Sequence, residues 1–558
     1  MVFHIYDDSN PPLLDSPSPF ISYGWQFLLE QYPGDLPVTI AKILQFGTLV
    51  GYEGPDSLII SKNQESVYLA PEIIDVKLRD DLAVGRIVPA SQTSPFISSP
   101  LGLVPKHDGG FRRIHNLSHP GKKSVNANIC DDYSSLEYST IEDVLQLVRI
   151  AGQHCSILKR DIKDAFRNIP IAPHIQWLLG FEWKGIFYKE TCLPFGLSTA
   201  PFIFNLFAEA FHWILQSWLQ WNLLQHYLDD FITVIPASAR HKIPDIETNY
   251  ISITNMLGIP RNDTKNQLGT VITVLGLEVD TDHFTLRVPE EKMRRAFLAA
   301  SRSLQQDSIT RKEMEALAGF LGFCAPAVQL GRLHMRTIWT FVASYPQHKS
   351  PFIKKRLAAD VREDLVWWKD LLPAWNGVHF FNDSVRDTIS LFTDSSGFGI
   401  GGFHVANPVD PNLIDYASIR VENSFFEHLP PSEPHLSEGH FDINIHEMEA
   451  ILFAFQQWGH LWVKKKVFVY TDNASCQAGL RRQTLRGAAF WPLRQTLLHS
   501  AQLDIFIEPI WIPGHTNVLA DALSRFNFDQ VVNLCPHWQP YFPTLLRPSL
   551  PGQSQFRT

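Results

Sequence analysis

Two adjacent carboxylates at the tip of an apolar hairpin constrain this chain more than any other feature. Gln225 to Ile235 reads as two apolar strands around an acidic turn, with Tyr227 ahead of Asp229 and Asp230 and Phe231-Ile232-Thr233-Val234-Ile235 behind them. Asp161 closes a separate apolar run, Cys155-Ser156-Ile157-Leu158-Lys159-Arg160-Asp161-Ile162, which predicts another strand. Two unit charges about 4 Å apart repel by about 4 kcal/mol at an effective dielectric of about 20. Three carboxylates brought together therefore need a counter-ion, and hard divalent cations with oxygen ligands supply one. Two such ions can activate a hydroxyl nucleophile and stabilise a departing phosphate in an in-line displacement. The plain alternative is a solvated turn, which aspartate makes well.

Bulk properties narrow the setting. At 558 residues the chain is too long for one core, and 45% hydrophobic with 19% charged residues is the balance of a globular protein. The six cysteines are scattered and none forms a Cys-x-x-Cys pair, so a zinc knuckle or a disulfide framework is not predicted. Reduced thiols in an intracellular protein, in cytoplasm or nucleus, are the expectation. The first residues lack a basic segment followed by an apolar one, and no apolar run reaches about 18 residues, so neither a signal peptide nor a membrane span is expected. A net charge of −9 counts against a nucleic-acid partner on bulk grounds. Gathered metal-binding carboxylates would account for part of it.

Along the chain no internal repeat stands out. Residues 1–70 mix Pro, Ser and short apolar runs and carry no assignable role. Glu72 to Leu78 predicts a short helix. Ser139-Thr140-Ile141-Glu142 and Thr310-Arg311-Lys312-Glu313 are capping boxes that open helices. Val271 to Val279 predicts strand structure broken at Gly276. A Trp-bearing helix lies around Asp364 to Trp368, and a new strand-rich unit begins near Thr388. The main domain boundary is expected between Leu372 and Thr388.

The residues around the hairpin resemble the reverse transcriptase family in order and spacing over about 200 positions. Asp161-Ile162-Lys163-Asp164-Ala165-Phe166 is similar to that family's first palm motif. Leu193-Pro194-Phe195-Gly196-Leu197-Ser198-Thr199-Ala200-Pro201 resembles its template and nucleotide grip. Leu257-Gly258-Ile259-Pro260 with Lys265, then Leu275-Gly276-Leu277-Glu278, resembles its last two palm motifs. The resemblance implies metal ligation by Asp161 and Asp229, with Asp230 supporting the turn and the primer site. It puts Phe166 at the steric gate against a ribose 2′-hydroxyl, Gly196 where the backbone approaches the template–nucleotide pair, and Lys265 where a proton could reach pyrophosphate. Val104 to Ile114 reads as a hairpin with basic residues at its base and resembles the family's fingers hairpin. There Lys106 and Arg112 would bind the triphosphate; Arg112 is preferred over Arg113 because strand alternation points only one of them inward.

A second acidic set follows. Thr388 to Asp394 and Lys466 to Asp472 each read as a strand ending in an acid, Glu447 lies in a predicted helix, and Pro513 to Arg525 reads as a loop and helix containing His515 and Asp521. Asp394, Glu447, Asp472 and Asp521 at element ends could surround two metals and hydrolyse a phosphodiester; singly, each acid could be a cap or a surface charge. The strings resemble the ribonuclease H domain of retroelements. That likeness implies four metal-binding carboxylates, with His515 assisting proton transfer or product release. The same likeness favours Glu447 over Glu449, because Glu447 precedes Ala450 by three, as in that family's helix. Phe425 to His440 is an insertion read as a solvated loop. Lys464-Lys465-Lys466 and Arg481, Arg482 and Arg486 are candidates for gripping phosphates.

Together these features predict a multidomain α+β and α/β chain. The expected order is an N-terminal extension (1–70), fingers and palm (71–285), thumb-like helices (286–345), a connection (346–387), a ribonuclease H-like domain (388–527) and a Pro-rich tail (528–558). The resemblance implies an RNA-directed DNA polymerase with ribonuclease H activity from a DIRS-like or gypsy-like retrotransposon. It would use two Mg²⁺ or Mn²⁺ ions per site, with template–primer, RNA–DNA hybrid and deoxynucleoside triphosphates as partners. A decayed or domesticated element that binds nucleic acid without catalysis is the alternative.

Overall fold

The apolar runs around Asp161 and Asp229 pair into one antiparallel sheet in the structure, a computed structural model. It describes residues 5–536 apart from 14–15, 94, 106–108, 134–135, 347–349, 380–385, 398, 408–409 and 421–442. The mixed α/β chain divides into two compact units, Met1–Phe284 and Thr285–Thr558.

In the first unit the strand order is Gln267–Gly269, Ser156–Asp161, Asp230–Ile235, Leu224–Tyr227. Register sets Asp230 opposite both Asp161 and Tyr227. Only Leu228 and Asp229 make the turn, with Leu228 in the left-handed region at φ 51°. The 20-residue helix Ala200–Leu219, started by Pro201 in its first turn, buries Phe204, Phe207, Phe211 and Ile214. Phe211 meets Phe231 of the hairpin edge-on, with centroids 4.8 Å apart. The expected break at Gly276 is a tight hairpin between Val271–Val274 and Leu277–Asp280.

Residues 1–70 supply part of this core. Phe20, Trp25, Leu28, Ile40, Ile43 and Val50 share one apolar cluster with Phe204 and Phe207. Trp25 Nε1 donates to the carbonyl of Leu257 at 3.1 Å, which satisfies the indole in a dry setting. The segment is a structural layer of the first unit, joined to it by partners far along the chain.

The helix foreseen at Glu72 runs from Pro71 to Ala83. A second sheet has the order Leu58–Ile60, Phe96–Ser98, Gly180–Trp183, Ile186–Glu190, Ile87–Pro89. Leu101–Pro105 and Phe111–His115 form the predicted hairpin, pairing Val104 with Arg112 and Leu103 with Arg113. Lys106 lies outside the described residues. The capping box at helix Ile141–Ala151 uses Thr140 and Asp143, one residue later than the expected Ser139 and Glu142. That start turns Val144, Leu145 and Val148 into the core.

In the second unit, Thr310 and Glu313 form the expected capping box of helix Arg311–Cys324. A five-stranded sheet follows, in the order Asp410–Arg420, Gly399–Asn407, Thr388–Ser395, Lys466–Thr471, Phe506–Trp511. The first three strands are antiparallel and the last two run parallel to Thr388–Ser395 and to each other. The chain divides into its two compact units at Phe284–Thr285, and the 372–388 interval lies within the second. The cause is packing across that interval: Leu330 and Leu333 share a core with Leu391, Phe455 and Trp458. Buried Asp364, on helix Ala359–Trp375, accepts from His334 at 2.7 Å and from Arg494 at 3.1 Å. The insertion at 425–440 and the last 22 residues of the tail lie outside the described residues. Among the described residues no helix is long and apolar enough to cross a membrane.

Candidate active sites

Asp161 ends its strand buried at the head of the first unit's sheet, and its carboxylate is already engaged. Asn262 Nδ2 donates to Oδ2 at 2.9 Å, and the Lys265 ammonium lies 3.1 Å from Oδ1. Asp230 is held by Lys159 at 2.9 Å. Burial, then the charges of Asp230 and Asp161, lift the Asp229 carboxyl to about 6. Burial raises Asp230 as well, and Lys159 opposes the rise. Asp161, Asp229 and Lys265 therefore meet on one wall of a cleft of about 1050 Å³. Crowded carboxylates that resist ionisation until a cation arrives suit a hard divalent ion.

Phe166 also lines this cleft. Its ring sits 5.5 Å from that of Phe195 and 5.7 Å from that of Phe204, so one side packs and the other faces the opening. The two fingers arginines part company. Arg112 is exposed, lies 4.9 Å over the Phe195 ring and leaves its guanidinium edge available. Arg113 is committed to Glu190 at 2.9 Å and Asp81 at 2.8 Å. Gly196 has φ 115°, and a Cβ there would collide with the carbonyl oxygen of His115. The glycine is thus demanded by a neighbouring strand of the protein itself, and Gly196 is not among the residues lining the cleft. Asn126 clamps the same loop by donating to Gly196 O at 2.8 Å and accepting from Ser198 N at 3.0 Å.

The second unit brings Asp394, Glu447 and Asp472 together. One ligand atom from each lies within 4.8 Å of the others, the one such group among the described residues. Burial, then the charges of Asp394 and Asp472, push the Glu447 carboxyl up to about 8. Burial lifts Asp394 to about 6 and raises Asp472. Glu447 Oε1 accepts from Ser395 Oγ at 3.0 Å, while its buried Oε2 has no hydrogen-bond partner among the described residues. An orphaned carboxylate oxygen inside an acid cluster fits a cation ligand. Glu449 instead faces His446 at 3.2 Å.

Asp521 stands apart from the trio, its Oδ1 taken by Arg525 Nε at 2.6 Å. Ser524 donates to Asp394 Oδ2 at 2.5 Å. His515 is exposed in the turn Gly514–Thr516. A Cβ on Gly514 would lie 3.0 Å from Asp472 Oδ2, so this turn borders the acids.

Residues 104–279 match the family described as reverse transcriptase (RNA-dependent DNA polymerase). They form a reverse transcriptase domain. The domain contains Asp161, Asp229, Asp230, Phe166, Arg112 and Lys265, and the match ends before the second acid cluster. A putative enzymatic polyprotein of Cassava vein mosaic virus is 22% identical over 391 residues, covering 66% of this chain and 52% of that protein. The chain thus spans about half the length of the curated relative it matches. Among solved structures, a foamy viral protease–reverse transcriptase in complex with double-stranded DNA aligns at 16% identity and a TM-score of 0.46. It covers 90% of this chain and 84% of that one. The foamy viral protease–reverse transcriptase in complex with an RNA/DNA hybrid aligns at the same identity and score, covering 89% and 63%.

Sequence reasoning missed the residues that hold the acids in place. Asn262, Ser524 and Arg525 each contact a candidate ligand, and Lys159 contacts the neighbouring Asp230. For Ser524 and Arg525 a signal existed, since both follow Asp521 within one helical turn. Lys159 and Asn262 meet their partners only through strand register and loop closure.

Proposed function

We propose that this chain is an RNA-directed DNA polymerase that also cleaves the RNA strand of an RNA–DNA hybrid, serving replication of a DIRS-like or gypsy-like retroelement. The observation that carries it is Asp161 opposite Asp230 across one antiparallel ladder, with Asp229 at its turn, inside the reverse transcriptase domain. Mg²⁺ or Mn²⁺ held by Asp161 and Asp229 would supply charge neutralisation and Lewis-acid activation.

The chain's own residues do the rest. Arg112 would receive triphosphate oxygens, Phe166 would bar a 2′-hydroxyl, and Lys265 would carry a proton towards the pyrophosphate side. In the second unit, Asp394, Glu447, Asp472 and Asp521 would hold the ions for hydrolysis, with His515 at the rim. The strand order of that unit and the unpartnered Glu447 oxygen support this part. Template–primer, hybrid and deoxynucleoside triphosphates are the partners this chemistry requires.

The test is direct. Purified protein with a primed RNA template, Mg²⁺ and deoxynucleotides should extend the primer and shorten the RNA of the resulting hybrid. Protein that binds the hybrid yet does neither would favour a non-catalytic binding role.

A further inference from the structure

A closed ring of four buried or nearly buried charges, Asp81, Arg113, Arg167 and Glu190, forms part of the lining of the first unit's cleft. Glu190, at the end of strand Ile186–Glu190, is fully buried. Its Oε1 accepts from Arg113 at 2.9 Å and its Oε2 from Arg167 at 2.7 Å. Asp81, on helix Pro71–Ala83, meets the other ends of both arginines, at 2.8 Å to Arg113 and 3.4 Å to Arg167. Two guanidinium groups are thus bridged by two carboxylates, with no net charge. Glu190 is held down to about 2 against its burial by Arg113 and Arg167, so its carboxylate is ionised across the working pH range.

Buried ion pairs seldom add net stability, because desolvation offsets most of their attraction; their best-attested use is to fix register. The registers at stake here are specific. Arg113 and Arg167 each stand next in sequence to a residue of the cleft, Arg112 and Phe166. In a strand, successive side chains face opposite ways, so pinning Arg113 inward turns Arg112 outward. Arg112 and Phe166 then converge on one ring, Phe195, at 4.9 and 5.5 Å. The Phe195 carbonyl accepts from the backbone N–H of His115, two residues beyond Arg113.

We infer that Glu190 is a positioning residue for nucleotide selection: by fixing Arg113 and Arg167 it sets the places of Arg112 and Phe166, the groups facing the triphosphate and the sugar. This rests on the polymerase function proposed above.

The experiment is single-nucleotide incorporation on a primed RNA template by the full chain, as wild type, Glu190→Gln, Glu190→Asp and Asp81→Asn. Glu190→Gln should raise KM for deoxynucleotides about tenfold, lower the preference for deoxy- over ribonucleotides, and change kcat far less. Glu190→Asp, which keeps the charge, should recover part of the KM. Should Glu190→Gln fail to fold, Asp81→Asn at the more open end should move KM and sugar preference the same way by a smaller factor. Unchanged KM and sugar preference in folded variants would overturn the inference. So would a fall in kcat and in unfolding temperature at constant KM, since that marks a purely structural role. An inert wild-type protein would instead sink the polymerase reading itself, so the two failures are told apart.

Discussion

Lys159 holds Asp230 from the neighbouring strand, with its Nζ 2.9 Å from Oδ2. Lys159 pairs in register with Ile232, so its side chain leans along the sheet to reach the acid. On the other side, Lys265 takes Asp161. Two of the three carboxylates therefore have built-in cations, while burial and both neighbouring acids resist the ionisation of Asp229.

Removing one of those cations should alter metal demand. Lys159→Met leaves an uncompensated negative charge beside the site, so a divalent ion should bind more tightly while Asp230 loses its anchor. We expect half-saturating Mg²⁺ for primer extension to fall several-fold and kcat to fall with it. A Mg²⁺ titration of extension rate reads both. An unchanged titration would show that Lys159 has no electrostatic part in the site.

The second site should show itself in stability without any substrate. Glu447 and Asp394 titrate higher in the folded chain, at about 8 and about 6, than in an unfolded one. The folded state then binds those protons more tightly, so their contribution to stability is fully present below the unfolded values and is lost as pH rises through the folded ones. With metal chelated, the unfolding temperature should drop between about pH 5 and about pH 8.5, and millimolar Mg²⁺ should restore it at the upper end. Glu447→Gln should flatten the metal-free slope. A chelated protein whose melting ignores pH, or a variant with the wild-type slope, would speak against an acid trap at Glu447.

Sequence and structure agree where chemistry coincides with the end of a local element. Asp161 and Asp394 lie at or next to the ends of apolar strands and Asp472 directly follows one, so their alternation and spacing were legible in the sequence. What escaped depends on long-range pairing. Arg112 and Arg113 are both plausible phosphate ligands until Glu190 and Asp81, 77 and 32 residues from Arg113, claim the second. Trp25 finds its carbonyl 232 residues away, which is why the N-terminal segment had no visible role. Asp364 and Arg494, 130 residues apart, are joined across the interval where a new strand-rich unit was expected to begin. Even the misplaced capping box has this origin, since Ser139 and Thr140 are equal caps locally and the core decides between them.

Sugar selection offers a sharper test of Phe166. Its ring packs on Phe195 and Phe204 yet lines the cleft, so truncation should open space without unfolding the sheet. Phe166→Ala should admit ribonucleotides, narrowing the deoxy-to-ribo ratio in kcat/KM by at least about tenfold while deoxynucleotide incorporation persists. If the ratio stays at the wild-type value, Phe166 is a core aromatic and the gate lies elsewhere.

The two acid sets belong to separate compact units, so the synthesis and cleavage proposed for them should separate by mutation. Asp472 is only partly buried and directly follows the strand Lys466–Thr471 without entering the unit's apolar core. Exchanging it for asparagine keeps the shape and removes one ligand charge from the trio with Asp394 and Glu447. Asp472→Asn should cut hybrid RNA cleavage by about a thousandfold or more while primer extension stays within about twofold, because the synthesis site keeps all its ligands. Gel analysis of end-labelled RNA and extended primer in one reaction measures both. Loss of both activities would mean that the second unit supports synthesis as well, and retention of cleavage would remove Asp472 from the hydrolytic site.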